Sequence, residues 1–173
     1  MNRIDIIVPA YNEAESLSPL HEAIANALHE EGISEWTLHF VDDGSTDGSW
    51  QTIRTIGESD PEHVTGIRLR RNFGKAEALQ AGFDASSGGT ILTMDADLQD
   101  DPKAIPLFLQ KLEEGFDLVS GWKKKRHDPL GKVLPSRIFN GMARATSGVP
   151  LHDFNCGFKA YRREVVNQIR LYG

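Results

Sequence analysis

Short runs of consecutive apolar residues alternate along the chain with stretches in which apolar positions recur every three or four residues, the pattern of β-α-β units around a largely parallel sheet. The first run, Ile4 to Val8, is apolar nearly throughout. That suits a strand covered on both faces, and Pro9 is expected to end it because proline has no N–H to donate. Leu17, Leu20, Ile24, Ala27 and Leu28 follow at helical spacing, with Ser16 or Ser18 as the N-cap and Gly32 as the stop. Trp36 to Val41 reads as a second strand, and a short helix is predicted near Trp50 to Ile56. Val64 to Leu69 reads as a third strand. In the helix after it Ala76, Leu79 and Phe83 share one face, and Ala78 and Gly82 are small enough to let it lie close to its neighbours. A fourth strand, Ile91 to Met94, precedes Pro102 at N1 of a helix whose face is Ile105, Phe108, Leu109 and Leu112. Asp117 to Gly121 reads as a fifth strand, and Lys123 to Pro135 as the one long loop. The expected fold is α/β, a mostly parallel central sheet flanked by helices.

Composition narrows the function. The chain has 173 residues, 39% of them apolar, which is the scale of one domain with a buried core. A net charge of -6 and a pI near 5.5 exclude a general nucleic-acid binder, which needs basic surface to displace counterions from phosphates. With Cys156 as the single cysteine, a disulfide framework and a multi-cysteine zinc site are excluded, and a reducing compartment fits. The N-terminus carries no signal-peptide pattern, and no run approaches the roughly 20 apolar residues that span a bilayer. The expectation is a cytoplasmic chain, soluble or held at the cytoplasmic face of a membrane.

Polar clusters follow the apolar strands at their carboxyl ends, the edge where open α/β sheets bind ligands. Asp95 and Asp97, two residues apart after the fourth strand, would point to one side if the extended backbone persists. Such a pair suits a divalent cation shared with a diphosphate, with Gln99 as a further oxygen ligand; the plainer reading is an acidic turn that caps the next helix. Asp42 and Asp43 suit hydrogen bonds from a nucleobase or ribose, and equally suit loop capping. Asp43 to Gly48 also imitates the start of a calcium-binding loop, but Arg54 stands where that loop needs a bidentate Glu. No Gly-x-x-x-x-Gly-Lys-Ser/Thr, Gly-x-Gly-x-x-Gly or nucleophile elbow occurs, so a P-loop nucleotidase, a dinucleotide dehydrogenase and a serine hydrolase are unsupported.

Five segments taken in order resemble the family-2 glycosyltransferases of the Rossmann-like GT-A fold, above all the dolichol-phosphate mannosyltransferase-like and bacterial polyprenyl-phosphate members. They are residues 8–13 (Val-Pro-Ala-Tyr-Asn-Glu), 41–48 (Val-Asp-Asp-Gly-Ser-Thr-Asp-Gly), 71–75 (Arg-Asn-Phe-Gly-Lys), 94–100 (Met-Asp-Ala-Asp-Leu-Gln-Asp) and 153–159 (Asp-Phe-Asn-Cys-Gly-Phe-Lys). The resemblance covers nearly the whole chain and implies a single catalytic domain, 1–173, either short by divergence or cut at its C-terminus. It implies that Pro9, Tyr11, Glu13 and Asp42 line a nucleoside pocket, with Ala10, Asp43, Lys75 and Asp95 completing the nucleotide-sugar contacts. Asp95, Asp97 and Gln99 would surround Mg2+ or Mn2+ and the diphosphate, Asp97 as the direct ligand. The implied reaction is an inverting transfer of a sugar from a GDP- or UDP-linked donor to a polyprenyl phosphate at a membrane surface.

An acceptor phosphate is already anionic and needs cations to position it rather than a base. The run Lys123, Lys124, Lys125, Arg126, followed by Arg137, supplies them in an otherwise acidic chain, although a Lys/Arg run alone is more often a solvated loop. A glycan hydroxyl would instead need a general base, for which Asp153 is the candidate. The catalytic set is therefore Asp97, Asp153, Arg126 and Arg137. Two other readings stand beside it: transfer to a glycan hydroxyl, and a nucleotide-sugar-binding module without turnover.

Overall fold

The computed structural model describes residues 3–122 and 156–171. In chain order these form β1 (Ile4–Ala10), α1 (Leu17–Glu30), β2 (Trp36–Asp42), α2 (Ser49–Ser59), β3 (Val64–Arg68), α3 (Lys75–Ala85), β4 (Thr90–Thr93), a 3-10 turn (Pro102–Ala104), α4 (Ile105–Glu113), β5 (Leu118–Ser120), β6 (Lys159–Arg162) and α5 (Arg163–Val166). The strands make one sheet in the order β3-β2-β1-β4-β6-β5. Its first four strands are parallel, whereas β6 runs antiparallel to both β4 and β5. The sheet is thus mostly parallel, as expected, and β6 is the strand that makes it mixed.

Period-two alternation in the strands feeds two cores. Ile4, Ile6, Val8, Leu38, Phe40 and Leu92 face α1, α2 and α4, while Ile7, Val41 and Ile91 face α3 and α5. On that second side Gly82 brings α3 down onto β1: a Cβ there would overlap the Ile7 Cγ2 methyl and stand 3.2 Å from its Cγ1. Among the described residues no helix is long and apolar enough to cross a membrane.

Pro9 does not end the first strand. It pairs with Val41 of β2, and in a parallel ladder the N–H groups of successive residues point alternately to the two neighbours. Ile4 donates to Glu35 on the β2 side and the Ile7 carbonyl accepts from Met94 on the β4 side, so the nitrogen of Pro9 faces β4. The β1–β4 ladder has already stopped there, at Ile7 and Thr93, and the missing donor leaves no gap. Ser16 holds the N-cap position of α1 without a capping bond; its hydroxyl donates to the Glu13 carbonyl instead, at 3.0 Å. Pro102 opens the 3-10 turn rather than an α-helix, with the Asp101 carboxylate accepting from the Lys103 N–H as its cap.

Candidate functional site

Four loops meet at the carboxyl ends of β1 to β4, and side-chain acceptors fasten them together. Ser45 Oγ accepts from the Asn12 N–H at 2.9 Å and Asn12 Oδ1 accepts from the Thr46 N–H at 2.9 Å, while Ser49 Oγ accepts from the Glu13 N–H at 2.8 Å. These bonds join the loops after β1 and β2, and Asn12 adopts a left-handed φ of 58° to reach them. The loop after β3 is held from β2 by Asp43, which is 4% exposed. One of its oxygens accepts from the Phe73 N–H at 2.8 Å and the other from the Gly74 N–H at 2.9 Å. Gly44 (φ +70°) lies directly beneath this loop, so that a Cβ there would come within 2.5 Å of the Arg71 Cα.

The result is a cleft of about 330 Å³. Of the residues singled out in the sequence, Pro9, Ala10, Tyr11, Glu13, Asp43, Lys75, Asp95 and Asp97 all line it, joined by Asn72, Gly74, Ala78 and Ala96. The Lys75 ammonium, at the start of α3, is hydrogen bonded to Asp95 Oδ1. Asp97 is exposed, with one oxygen accepting from the Gln99 N–H at 3.1 Å. Among the described residues no group of three or more His, Cys, Asp or Glu side chains stands close enough to hold a metal. Here a metal would take at most the carboxylates of Asp95 and Asp97 from the described residues and draw its other ligands from substrate and water. That donor set fits magnesium or manganese on a diphosphate.

Two placements depart from expectation. β2 runs one residue further than the apolar pattern suggested, so Asp42 shares a face with Leu38 and Phe40 and is fully buried. Its Oδ1 accepts from the Ser45 N–H at 3.0 Å and its Oδ2 lies 3.3 Å from Arg68 Nε; Asp42 holds the loop and does not line the cleft. Gln99 follows Leu98, whose φ of 59° turns the backbone away. It lines instead a neighbouring cleft of about 680 Å³ with Leu98, Leu107 and Phe158. Arg126, Arg137, Asp153 and the lysine run 123–125 lie outside the described residues.

Two features went unread in the sequence. Asn72 and Gly74 sit inside a quoted motif without having been singled out. Gly157 likewise sits inside a quoted motif, 153–159, without having been singled out, because the contact it makes is across the sheet and not along the chain.

Comparison with known proteins places the chain in a family. Residues 5–170 match Glycosyl transferase family 2. The chain is 40% identical over 175 residues to the dodecaprenyl-phosphate galacturonate synthase of Rhizobium johnstonii, covering 98% of this chain and 51% of that protein. It is 35% identical over 167 residues to the undecaprenyl-phosphate 4-deoxy-4-formamido-L-arabinose transferase of Salmonella typhimurium, covering 96% and 51%. The chain thus spans about half the length of the curated relatives it matches. Among solved structures, the fold is similar to a mannosyltransferase from Pyrobaculum calidifontis in complex with GDP-Man and Mn2+ (TM-score 0.69, 25% identity, 99% of this chain and 48% of that one). It is also similar to glucosyl-3-phosphoglycerate synthase from Mycobacterium tuberculosis in complex with Mn2+ and UDP-glucose (TM-score 0.72, 23% identity, 97% and 58%). With the match running over nearly all of its sheet and helices, the chain belongs to glycosyl transferase family 2.

Proposed function

We propose that residues 1–173 form a catalytic domain that moves a sugar, with inversion, from a nucleotide-sugar to a polyprenyl phosphate at a membrane surface. The observation that carries this reading is the meeting of Asp95, Asp97 and Lys75 on one cleft at the carboxyl ends of β1 and β4. Two polyprenyl-phosphate transferases among the relatives support the choice of acceptor. The Mn2+ and nucleotide-sugars bound in the solved neighbours support the choice of donor.

In this reading Pro9, Ala10, Tyr11 and Glu13 hold the nucleoside, and Asp43 shapes the floor beneath it. Asp97, with Asp95 beside it, holds Mg2+ or Mn2+ against the diphosphate. A metal bound there would supply positive charge opposite the leaving phosphate. Lys75 adds a fixed positive charge on the same side. Arg126 and Arg137 position the acceptor phosphate, whose oxygen is nucleophilic without a base. Asp153 takes the role of base only if the acceptor is a hydroxyl.

The experiment is a titration of nucleotide-sugars with and without manganese, followed by assay of released nucleoside diphosphate with polyprenyl phosphate or soluble sugars as acceptor. Asp97→Ala is expected to abolish the manganese-dependent part of donor affinity, a loss of about 10–100-fold. Unchanged metal dependence removes Asp97 from its role, and turnover on sugar hydroxyls alone refutes the lipid acceptor.

A further inference from the structure

The antiparallel pairing of β4 with β6 sets Thr93 opposite Lys159. Continued by two residues, that register brings Asp95 opposite Gly157 on the same face of the sheet. Beyond the last paired residues the two backbones stay close, because Thr93 Oγ1 donates to the Gly157 carbonyl at 2.7 Å. On the far side the Gly121 N–H donates to the Phe158 carbonyl at 2.9 Å. Gly157 is therefore held directly by Thr93, and its neighbour Phe158 by Gly121.

It is also fixed against Asp95. A Cβ built on Gly157 would stand 2.5 Å from the Asp95 Cγ and closer still to both carboxylate oxygens. No left-handed φ demands glycine at this position, unlike at Gly44 or Gly74. What excludes a side chain is the Asp95 carboxylate itself, which fills the space and is also hydrogen bonded to Lys75.

We infer that Gly157 is a positioning residue for the donor acids: by having no side chain it leaves room for the Asp95 carboxylate to lie against its backbone, paired with the Lys75 ammonium on the nucleotide-sugar cleft. This rests on the donor reading above and adds to it a residue that lines no part of the cleft in question. A methyl group at 157 forces Asp95 to rotate off its position, which breaks the Lys75 pair and misplaces one of the two acids available to a metal. Partners that orient a metal's ligands commonly change metal affinity by about 10–100-fold when altered, and that is the expected scale.

The test measures UDP and GDP binding with and without manganese for the wild-type chain, Gly157→Ala, Asp95→Ala and the double variant, with thermal unfolding alongside. Gly157→Ala is expected to lose manganese-dependent affinity about tenfold or more, and to need correspondingly more manganese for half-saturation. In the Asp95→Ala background, where the obstructing carboxylate is gone, the same substitution should change binding by less than about twofold, the limit of additivity error. If Gly157→Ala does not fold, the double variant decides: recovery of a cooperative transition supports the clash with Asp95, and failure to recover overturns it. A wild-type chain with no manganese-dependent affinity overturns the donor reading and this inference with it. Wild-type binding that survives Gly157→Ala within about twofold, or falls equally in both backgrounds, overturns the role of Gly157 alone.

Discussion

Replacing Asp43 by alanine tests whether one buried carboxylate fastens the cleft. Its two oxygens accept from the Phe73 and Gly74 N–H groups at 2.8 and 2.9 Å, and no other bond ties β2 to these two amides. Hydrogen bonds to a charged partner contribute about 1.5–3 kcal/mol each, and an amide left unpaired costs about 1–3 kcal/mol. The Phe73 and Gly74 amides are only partly buried, so water regains part of the loss. A net destabilisation of about 2–4 kcal/mol follows for Asp43→Ala. In a domain of this size that lowers the unfolding midpoint by roughly 5–15 °C. Asparagine should recover less than half, because its amide NH2 would face one of the two N–H donors. The measurement is urea unfolding, with the slope m checked for constancy so that the change in midpoint reports stability. Because Lys75 follows Gly74 directly, donor affinity should fall in the same variant. A loss below about 0.5 kcal/mol, the range of an ordinary surface change, refutes the fastening role.

Two further outcomes test other parts of the fold. Asp5 is 1% exposed; burial alone would raise its pKa, but His39 and the Gly88 and Ser87 N–H groups outweigh that and hold the carboxyl below the usual value of 3.8. Asp60 behaves in the same way, with burial offset by His63 and His21. Because the folded pKa is the lower one, the stabilisation is present above the unfolded pKa and lost as pH falls through the folded value, so urea midpoints should drop below about pH 4. Asp5→Asn should flatten that drop, and an unchanged profile counts against it. Gly44→Ala meets both a left-handed φ of +70° and the Arg71 backbone, and should cost more than the roughly 1–2 kcal/mol of the conformation alone; a calorimetric scan showing no shift contradicts the close packing of these loops.

Much of the cleft was legible because each parallel strand is an apolar run that ends in a polar cluster, and the loops at one edge of such a sheet must converge. The orientation of adjacent acids was not legible. Asp42 and Asp43 differ by one position, and a strand one residue longer than its apolar run puts the first of them inside and the second on the cleft. Gln99 was misplaced for a similar reason, since nothing in a leucine announces the left-handed turn at Leu98. β6 escaped notice because Lys159, Tyr161 and Arg162 are half-buried around one fully buried residue, Ala160. A strand that mixes charge with a single small apolar residue gives no periodic signal.

The insertion of β6 between β4 and β5 also orders events in time. As a nascent chain emerges, β1 to β4 can assemble as a parallel sheet, but β5, complete at Ser120, has no neighbour until Lys159–Arg162 arrives. Until then β4 presents an unpaired border of amides and carbonyls beside Asp95 and Asp97, the kind of border that recruits strands from other molecules. The docking of this late strand therefore covers the border of β4 and gives β5 its neighbour in one step.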